Sequence, residues 1–480
     1  MEYLSNEVLL MIADHLHTPS THLSRLSQCN HRFYDLFSPI LYSNIEFEPC
    51  GAGECGWCHG ECSRLMAALV QALYRKPHVA RHAKHLRLTK WCTEDQLRDN
   101  DDPHSDDEPR RQRPTVDEAL MRTVLKKVCP HPEEQTKWMG HLKRANLDAW
   151  VALLLPALPN LQTIILSVPQ QDPTFFRKTL IQLVNGKIQV DNTPALSKLH
   201  SVSLITQTSD DAFESEKDAA CAVPFFKLPS MRKVAGSSVR DPSDASMQRW
   251  TDGLGLTPHS SSVTQLEVDC GVSNEGISWW TMFCRRLESF EVRFGDRTFM
   301  DGMHTSMIQE SIAGFKRCLR QLRLDYCANS TYYVDEEFYP DQEASSFKEF
   351  CVLEDLHIRF PSLIQVEEAR SVERTLHLRD VLPVSLQTLH ICECREVDIP
   401  VLVSEVRDLL SQKATYVPNL RILRVSCGLE LELWKAGRVV VLQPEVKMLL
   451  QDLCRAVSVE FIQGDCGSGH GFLQVPWDYR

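Results

Sequence analysis

Four cysteines and one histidine near the start of the chain are the residues best suited to chemistry. They lie in the stretch CGAGECGWCHGEC, which runs from Cys50 to Cys62 and also contains Cys55, Cys58 and His59. Thiolate sulfur and imidazole nitrogen are the ligands that a tetrahedral zinc ion prefers. The four cysteines are therefore candidate zinc ligands, although structural sites often take two pairs from distant parts of a chain. The other interpretation is a glycine-rich loop with free thiols, and we assign no metal and no cofactor.

Two redox interpretations of the same stretch are weaker. Cys55-Gly-Trp-Cys58-His59 fits the C-x-x-C-H pattern of c-type haem attachment, which takes place outside the cytosol. A thioredoxin-type C-x-x-C needs a strand before it and a helix after it, and only the helix, over residues 63–74, is indicated. The sequence has no G-x-S-x-G elbow, no phosphate-binding loop and no H-E-x-x-H pair. We therefore expect no catalytic residues and no enzymatic activity.

Composition and charge narrow the class of protein. The chain has 480 residues, of which 43% are hydrophobic and 24% charged, as in ordinary globular proteins. The formal net charge of -12 disfavours nucleic acid as a partner. No stretch has the order of a secretory signal, and the longest apolar runs are shorter than the roughly 20 residues of a membrane span. We expect a cytoplasmic and/or nuclear location, no membrane association, and thiols rather than disulfides for the 18 cysteines.

A short pattern, apolar-x-x-apolar-x-apolar, returns along the chain beyond residue 80. From Leu161 onwards successive copies begin 24 to 38 residues apart, and most intervals are 32 to 34 residues. The pattern resembles the L-x-x-L-x-L of leucine-rich repeats, at an irregular length above the usual range of about 20–29 residues. The copies begin at Ala83, Leu161, Leu199, Met231, Val263, Leu287, Leu319, Leu353, Leu386, Leu420 and Cys454.

Each copy predicts a short strand, and the stretches between copies often show helical spacing. Such strand–helix units cannot bury their apolar faces alone and must stack on their neighbours. A doubly wound single sheet of strand–helix units is the alternative. The fifth position of each copy is often charged or polar, and we expect these side chains to point from the concave face into solvent: Glu267, Glu291, Arg323, His357, His390 and Arg424.

The first 47 residues form a second apolar pattern, at helical spacing. Leu4, Val8, Leu9, Ile12 and Leu16 define one helix face. A second segment repeats the spacing with Leu23, Leu26, Cys29, Phe33, Leu36 and Phe37. Fewer than 50 residues cannot bury this much apolar surface by themselves. We therefore expect another polypeptide to cover part of it.

The stretch from Leu4 to Ile45 resembles an F-box, the helical module with which substrate receptors bind the adaptor Skp1. The opening Leu-Pro-x-Glu of that family reads Leu4-Ser5-Asn6-Glu7 here, so that Ser5 replaces the usual proline. We expect Ser5 to cap the first helix through its hydroxyl instead. Further matches to the family pattern are Val8, Leu9, Ile12 and Leu16, then Leu23, Leu26, Cys29, Arg32 and Phe33, and finally Leu41-Tyr42.

The resemblance is to a fungal-type F-box protein with a C-terminal leucine-rich-repeat-like array. It implies a non-catalytic substrate-recognition subunit of an SCF (Skp1–cullin–F-box) ubiquitin ligase, with a Skp1-like adaptor, through it a cullin, and an unidentified target as partners. The alternative is a ligase-independent repeat scaffold whose N-terminal helices pack inward. The implied Skp1-binding residues are Leu4, Asn6, Glu7, Val8, Leu9, Ile12, Leu16, Leu26, Phe33, Leu36, Ile40, Leu41 and Tyr42.

The expected fold class is α/β. A three-helix F-box module at 1–47 precedes a Cys-rich loop and linker helix at 48–80. An irregular leucine-rich-repeat-like solenoid, with parallel strands on its concave side and helices outside, occupies 81–480. Within it, the strongly charged stretch 94–118 is predicted to be a disordered loop.

Overall fold

Two compact units divide the chain in the computed structural model. Unit 1 comprises Met1–Val234 and Asp244–Leu256, and unit 2 comprises Ala235–Ser243 and Thr257–Arg480. The structure describes residues 4–16, 21–47, 59–89, 91, 114–169, 172–190, 193–205, 217–272, 275–294, 305–325, 346–364, 376–394, 398–427 and 442–464.

Unit 1 contains a parallel ladder of four short strands, β1 (Asn44–Phe47), β2 (His85–Leu88), β3 (Thr163–Leu166) and β6 (Ser201–Leu204). Each strand pairs in parallel with the next, and Ile45, Leu86, Ile164 and Val202 lie in register. Two very short strands, β4 (Gln189–Val190) and β5 (Thr193–Pro194), form an antiparallel pair. The strand β7 (Lys217–Asp218) also belongs to this unit, and β8 (Lys233–Arg240) spans the division between units.

Helices connect these strands. Three of them, α1 (Asn6–Leu16), α2 (Thr21–Ser27) and α3 (His31–Leu41), precede β1, and a 3₁₀ helix covers Ala219–Lys227. The others are α4 (His59–Arg75), α5 (Pro77–Ala80), α6 (Glu118–Val128), α7 (Pro132–Lys143), α8 (Leu147–Ala157), α9 (Thr174–Val184) and α10 (Asp244–Thr251).

The helix α8 explains the longest apolar run of the sequence. All eleven of its residues are buried, as expected of a helix that is apolar on every side. The indole N–H of Trp150 donates to the Leu142 carbonyl at 3.2 Å, so that even its polar atom is paired. Asp148 accepts from the backbone N–H groups of Phe175 and Phe176 at 2.9 and 2.8 Å and so holds the start of α9. Among the described helices, none is long and apolar enough to cross a membrane.

Unit 2 contains a longer parallel ladder of seven strands, each pairing with the next. Along β11 the residues alternate between half-buried and buried, and Leu322 and Leu324 are fully buried. This alternation gives the sheet one apolar face and one polar face. The strands are β9 (Gln265–Val272), β10 (Ser289–Phe294), β11 (Gln321–Asp325), β12 (Asp355–Arg359), β13 (Thr388–Cys394), β14 (Ile422–Cys427) and β15 (Glu460–Gln463).

Helices again separate the strands of unit 2. They contribute buried apolar residues of their own, such as Ile308, Val406 and Leu450. Two 3₁₀ helices cover Ala313–Phe315 and Phe360–Ser362. The α-helices are α11 (Glu275–Phe283), α12 (Thr305–Ile312), α13 (Leu378–Val381), α14 (Ile399–Ser411), α15 (Lys413–Tyr416) and α16 (Pro444–Ala456).

The strands confirm the repeat pattern with one error. Strands lie on ten of the eleven predicted copies. The last copy was predicted to begin at Cys454, but Cys454 belongs to α16, and the strand that pairs with β14 starts at Glu460. The apolar residues at the end of α16 fit the apolar-x-x-apolar spacing of the repeat because a helix also places apolar residues three positions apart.

Two further differences concern the predicted domain boundaries. The strand β1 lies inside the predicted 1–47 module, and Asn44 pairs with His85, so the parallel ladder already begins there. Of the charged stretch 94–118, only 114–118 is described, and Glu118 begins α6 with the side chain of Asp117 as its N-cap. The rest of that stretch lies outside the described residues.

Candidate functional site

The N-terminal helices are fixed at their starts by polar side chains. The backbone N–H of Val8 donates to Ser5 Oγ at 3.5 Å, a long contact that places Ser5 at the predicted cap of α1. Asn30 caps α3 more tightly, because its Oδ1 accepts from the Phe33 N–H at 2.8 Å. Arg32 joins the two helices. Its guanidinium donates to Asn6 Oδ1 at 2.8 and 3.1 Å and to the Leu4 carbonyl at 2.6 Å.

A small apolar core lies between the three helices. Its fully buried members are Leu9, Ala13, Leu23, Phe33 and Phe37, each at most 4% exposed. The rings of Phe33 and Phe37 lie 5.5 Å apart and are tilted against each other. Four partly buried side chains pack around this core, namely Leu26, Leu36, Ile40 and Leu41. The three helices therefore form a module with its own hydrophobic core.

The opposite side of α1 is apolar and exposed. Leu4, Val8 and Met11 are 36%, 41% and 64% exposed, and Ile12 beside them is half-buried. Val8, Met11 and Ile12 share one face of α1, since positions three or four apart lie on the same side of a helix, and Leu4 precedes the start of α1 at Asn6. We call these four residues the α1 stripe. Leu10 is 37% exposed but lies about 200° around the helix from Val8, away from the stripe.

The predicted Skp1-binding residues fall into three groups. Leu9 and Phe33 belong to the core, so they support the module from inside rather than face a partner. Leu4, Asn6, Glu7 and Val8 are exposed, whereas Ile12 and Tyr42 are half-buried, like the four core-flanking residues Leu26, Leu36, Ile40 and Leu41. The side chain of Leu16 lies outside the described part of the chain. The sequence interpretation omitted Met11, although helical spacing from Leu4 and Val8 indicates it.

The second candidate surface is the polar face of the unit 2 sheet, which we call the open face. The six residues predicted at the fifth repeat position form one cross-strand row, because each is the register partner of the next. The row runs from acidic to basic. In order across β9 to β14 it consists of Glu267, Glu291, Arg323, His357, His390 and Arg424.

Ion pairs satisfy much of the open face internally. Arg323 lies between two carboxylates, with Glu291 Oε1 at 3.8 Å and Asp355 Oδ2 at 3.4 Å. Two residues along the strands, Arg293 Nε lies 3.7 Å from Asp325 Oδ2. Burial raises the pKa of the Asp325 carboxyl, and the guanidinium of Arg293 partly opposes that rise. These pairs place opposite charges next to each other across neighbouring strands.

The two histidines of the row are stacked. Their ring centroids are 3.9 Å apart, and His390 Nε2 lies 2.7 Å from Ser426 Oγ. Burial, helped by the guanidinium groups of Arg323 and Arg424, lowers the pKa of His357 to about 4. Burial and the same cationic neighbours lower the pKa of His390 as well. Both rings are therefore neutral at pH 7.

Of the four predicted zinc ligands, the structure describes Cys62. Cys50, Cys55 and Cys58 lie outside the described residues, and Cys62 is buried near the start of α4. Within the described part of the chain, no group of three or more His, Cys, Asp or Glu side chains is placed to hold a metal ion. The zinc interpretation thus stays a prediction.

Comparison with known families agrees with this architecture. The family model described as "Leucine-rich repeat domain" matches residues 61–438, which is more than half of the chain. The chain therefore belongs to the leucine-rich repeat family, whose members bind protein partners. The matched range begins after the N-terminal module, so it carries no information about α1–α3.

Other comparisons add little. No curated protein matches the sequence. The crystal structure of an internalin from Listeria monocytogenes is similar at 11% sequence identity and a TM-score of 0.23. That comparison covers 65% of this chain and 64% of the internalin chain.

Proposed function

We propose that this protein is the substrate-recognition subunit of an SCF ubiquitin ligase. In this proposal the N-terminal module binds a Skp1-like adaptor, and through it a cullin, while the repeats hold a target protein. The chain itself performs no bond chemistry. It raises the concentration of target lysines near the ubiquitin-conjugating enzyme, as a tether does. The ligase acts in the cytoplasm or the nucleus.

The observation that carries the proposal is the exposed α1 stripe. Val8 and Met11 contribute nothing to the core of the module, and neighbouring apolar side chains left exposed together are typical of interaction sites. The stripe lies in the segment whose residues resemble an F-box. In the ligase-independent alternative the same helices pack inward on the first repeats, and the exposed stripe has no role.

The repeats support the second half of the proposal. Leucine-rich repeat domains bind proteins, and the open face of unit 2 presents a row of charged and polar side chains. A row of this kind selects a partner by complementary charge. The leucine-rich repeat fold is shared by proteins with many different targets, so the choice of target depends on the side chains of the open face.

Binding of purified Skp1 to the purified full chain tests the proposal. Val8→Asp and Met11→Asp each place a carboxylate in the stripe, and we expect each to weaken binding about 30-fold or more, as for the loss of a central apolar contact. Leu10→Asp is the matched control. Leu10 lies on the same helix with a similar exposure, so Leu10→Asp should leave the affinity within about threefold of wild type.

The choice of positions matters for this test. Leu9 is 1% exposed, so Leu9→Asp would unfold the module and could not separate docking from stability. Circular dichroism of the three exposed-site variants should match wild type. No binding of Skp1 by the wild-type chain, or equal losses for Met11→Asp and Leu10→Asp, would contradict the proposal.

A further inference from the structure

The basic end of the cross-strand row on the open face has unused binding capacity. Arg323 is flanked by Glu291 and Asp355, but Arg424 at the far end makes no ion pair or hydrogen bond with the described residues. His357 lies between them, and its Nε2 is buried without a hydrogen-bond partner. Unsatisfied buried polar atoms are rare in native proteins and call for an explanation.

The side-chain stem of Arg424 runs close to the chain at Gly464. The backbone of Gly464 follows β15, and its N–H donates to the Val425 carbonyl at 2.9 Å. A Cβ added at Gly464 would lie 3.4 Å from both Cγ and Cδ of Arg424 and would collide with Ser426 Oγ. The stem of Arg424 thus lies near this backbone, while the residue as a whole remains exposed. A long side chain whose stem is restricted by its neighbours loses less entropy when its guanidinium binds a ligand.

We propose that Arg424, together with the His357–His390 stack, binds an oxyanion carried by an acidic segment of the target protein. The oxyanion is a carboxylate or a phosphoryl group, both of which accept charge-assisted hydrogen bonds from a guanidinium. His390 Nε2 is already held by Ser426 Oγ, and the ring of His357, whose buried Nε2 has no hydrogen-bond partner, stacks on the ring of His390. This inference deepens the target-binding half of the proposed function and rests on it, but it does not depend on adaptor docking.

Size and charge favour a short acidic protein segment over nucleic acid. The strands β12 to β14 span two strand spacings, about 10 Å, which accommodates one or two acidic side chains. Farther along the same row, Glu291 and Glu267 would repel a longer polyanion. The net charge of -12 opposes non-specific binding of any anion, so that affinity must come from local groups.

Fluorescence anisotropy of a labelled hexaglutamate peptide with the full chain, at low ionic strength, tests this assignment. We expect wild type to bind the peptide and Arg424→Gln to bind it about 10-fold more weakly, the loss typical of one charge-assisted pair. The matched control is Arg421→Gln. It removes the same charge from an exposed arginine just before the same strand, outside the row, and should change the affinity by less than about twofold.

Two further probes separate the sources of the anion. A phosphoserine hexapeptide that binds more tightly than hexaglutamate identifies a phosphoryl group, and the reverse order identifies a carboxylate; either order supports the site. An oligothymidylate that binds more tightly than both peptides would overturn the assignment to a protein segment. So would the absence of peptide binding by wild type, or an equal loss in Arg421→Gln.

The peptide-binding test of this inference and the Skp1-binding test of the proposed function can fail independently. Arg424→Gln should bind purified Skp1 as wild type does, and Val8→Asp should bind hexaglutamate as wild type does. If the peptides fail to bind while Skp1 binds, only this inference falls. If Skp1 fails to bind while Arg424→Gln still binds hexaglutamate more weakly than Arg421→Gln does, the oxyanion site is supported and the ligase function is not.

Discussion

The N-terminal module and the open face of unit 2 offer a partner opposite kinds of surface. The module exposes apolar side chains that have no internal partner, as in the α1 stripe. The open face is polar, and its charges pair with one another across the strands, as Arg323 does with Glu291 and Asp355. Apolar contact area gives affinity to a stable assembly, whereas arranged charges decide which partner binds. We therefore expect the module to bind one constant partner and the open face to select a specific one.

The largest expected effect comes from the cores behind the two surfaces. Phe37→Ala in the module and Phe290→Ala in β10 each remove a fully buried ring and should cost about 3–5 kcal/mol. The small module cannot withstand such a loss, so Phe37→Ala should abolish Skp1 binding. Phe290→Ala should lower the unfolding midpoint but spare Skp1 binding below that midpoint. Denaturant unfolding and Skp1 affinity measure the two effects, and retained binding by Phe37→Ala would break the comparison.

Acid should weaken the open face through its histidines. Because the folded-state pKa of His357 is about 4, below its ordinary value near 6.5, the unfolded chain takes up the proton first. Stability is then fully present above about pH 6.5 and is lost as the pH falls toward 4, by on the order of a few kcal/mol.

His357→Gln removes that titration and keeps a polar side chain. The slope of unfolding free energy against pH between 6.5 and 4 should become shallower in this variant. Denaturant unfolding at several pH values measures it, with His200→Gln as a control at a histidine outside the row. An unchanged slope in His357→Gln would show that the stack does not titrate as described.

Gly464→Ala should disturb the basic end of the open face. The added Cβ meets Ser426 Oγ, which itself contacts His390, so either the Ser426 side chain or the backbone of the edge strand must shift. Overpacking of this kind costs about 1–3 kcal/mol. Thermal unfolding measures the cost, and Gly314→Ala, with open space around the added Cβ, is the control. A Gly464→Ala protein as stable as wild type would contradict the close packing.

The smallest effect is expected at exposed ion pairs. Arg320 Nη1 lies 2.6 Å from Glu354 Oε1, but the two side chains are 54% and 38% exposed. Water screens such pairs, so Glu354→Ala should change the unfolding free energy by less than about 1 kcal/mol. A loss well above that value, measured by urea unfolding at low salt, would mean that solvent-exposed charges contribute more to unit 2 than the comparison assumes.

Sequence reasoning found the strands because the Leu-x-Leu ending of each repeat encodes a two-residue period. It also found the six residues of the cross-strand row, since equal repeat positions come into register in a parallel ladder. It expected all six in solvent, but only Arg424 is exposed and the other five are half-buried, because neighbouring strands cover them. It missed β1, which is only four residues long and lacks the full pattern. It also assigned a strand to residues of α16, because a three-residue apolar spacing fits both kinds of element.

The sequence could not decide which residues of α1 face outward. Val8, Leu9, Leu10, Met11 and Ile12 are consecutive apolar residues, so the pattern has no polar side to orient it. The positions of Leu23, Phe33 and Phe37 on the other two helices place Leu9 inside and leave Val8 and Met11 outside. The sequence also could not show that Arg424 has no ion-pair partner among the described residues, because its neighbours come from strands far apart in sequence.

Hydrogen–deuterium exchange of the full chain, with and without purified Skp1, tests the central claim most directly. We expect added Skp1 to slow exchange at the backbone amides of α1, which carries the stripe, and to leave those of β10 to β14 unchanged. Slower exchange on the strands alone, or no change in α1 at saturating Skp1, would contradict the account.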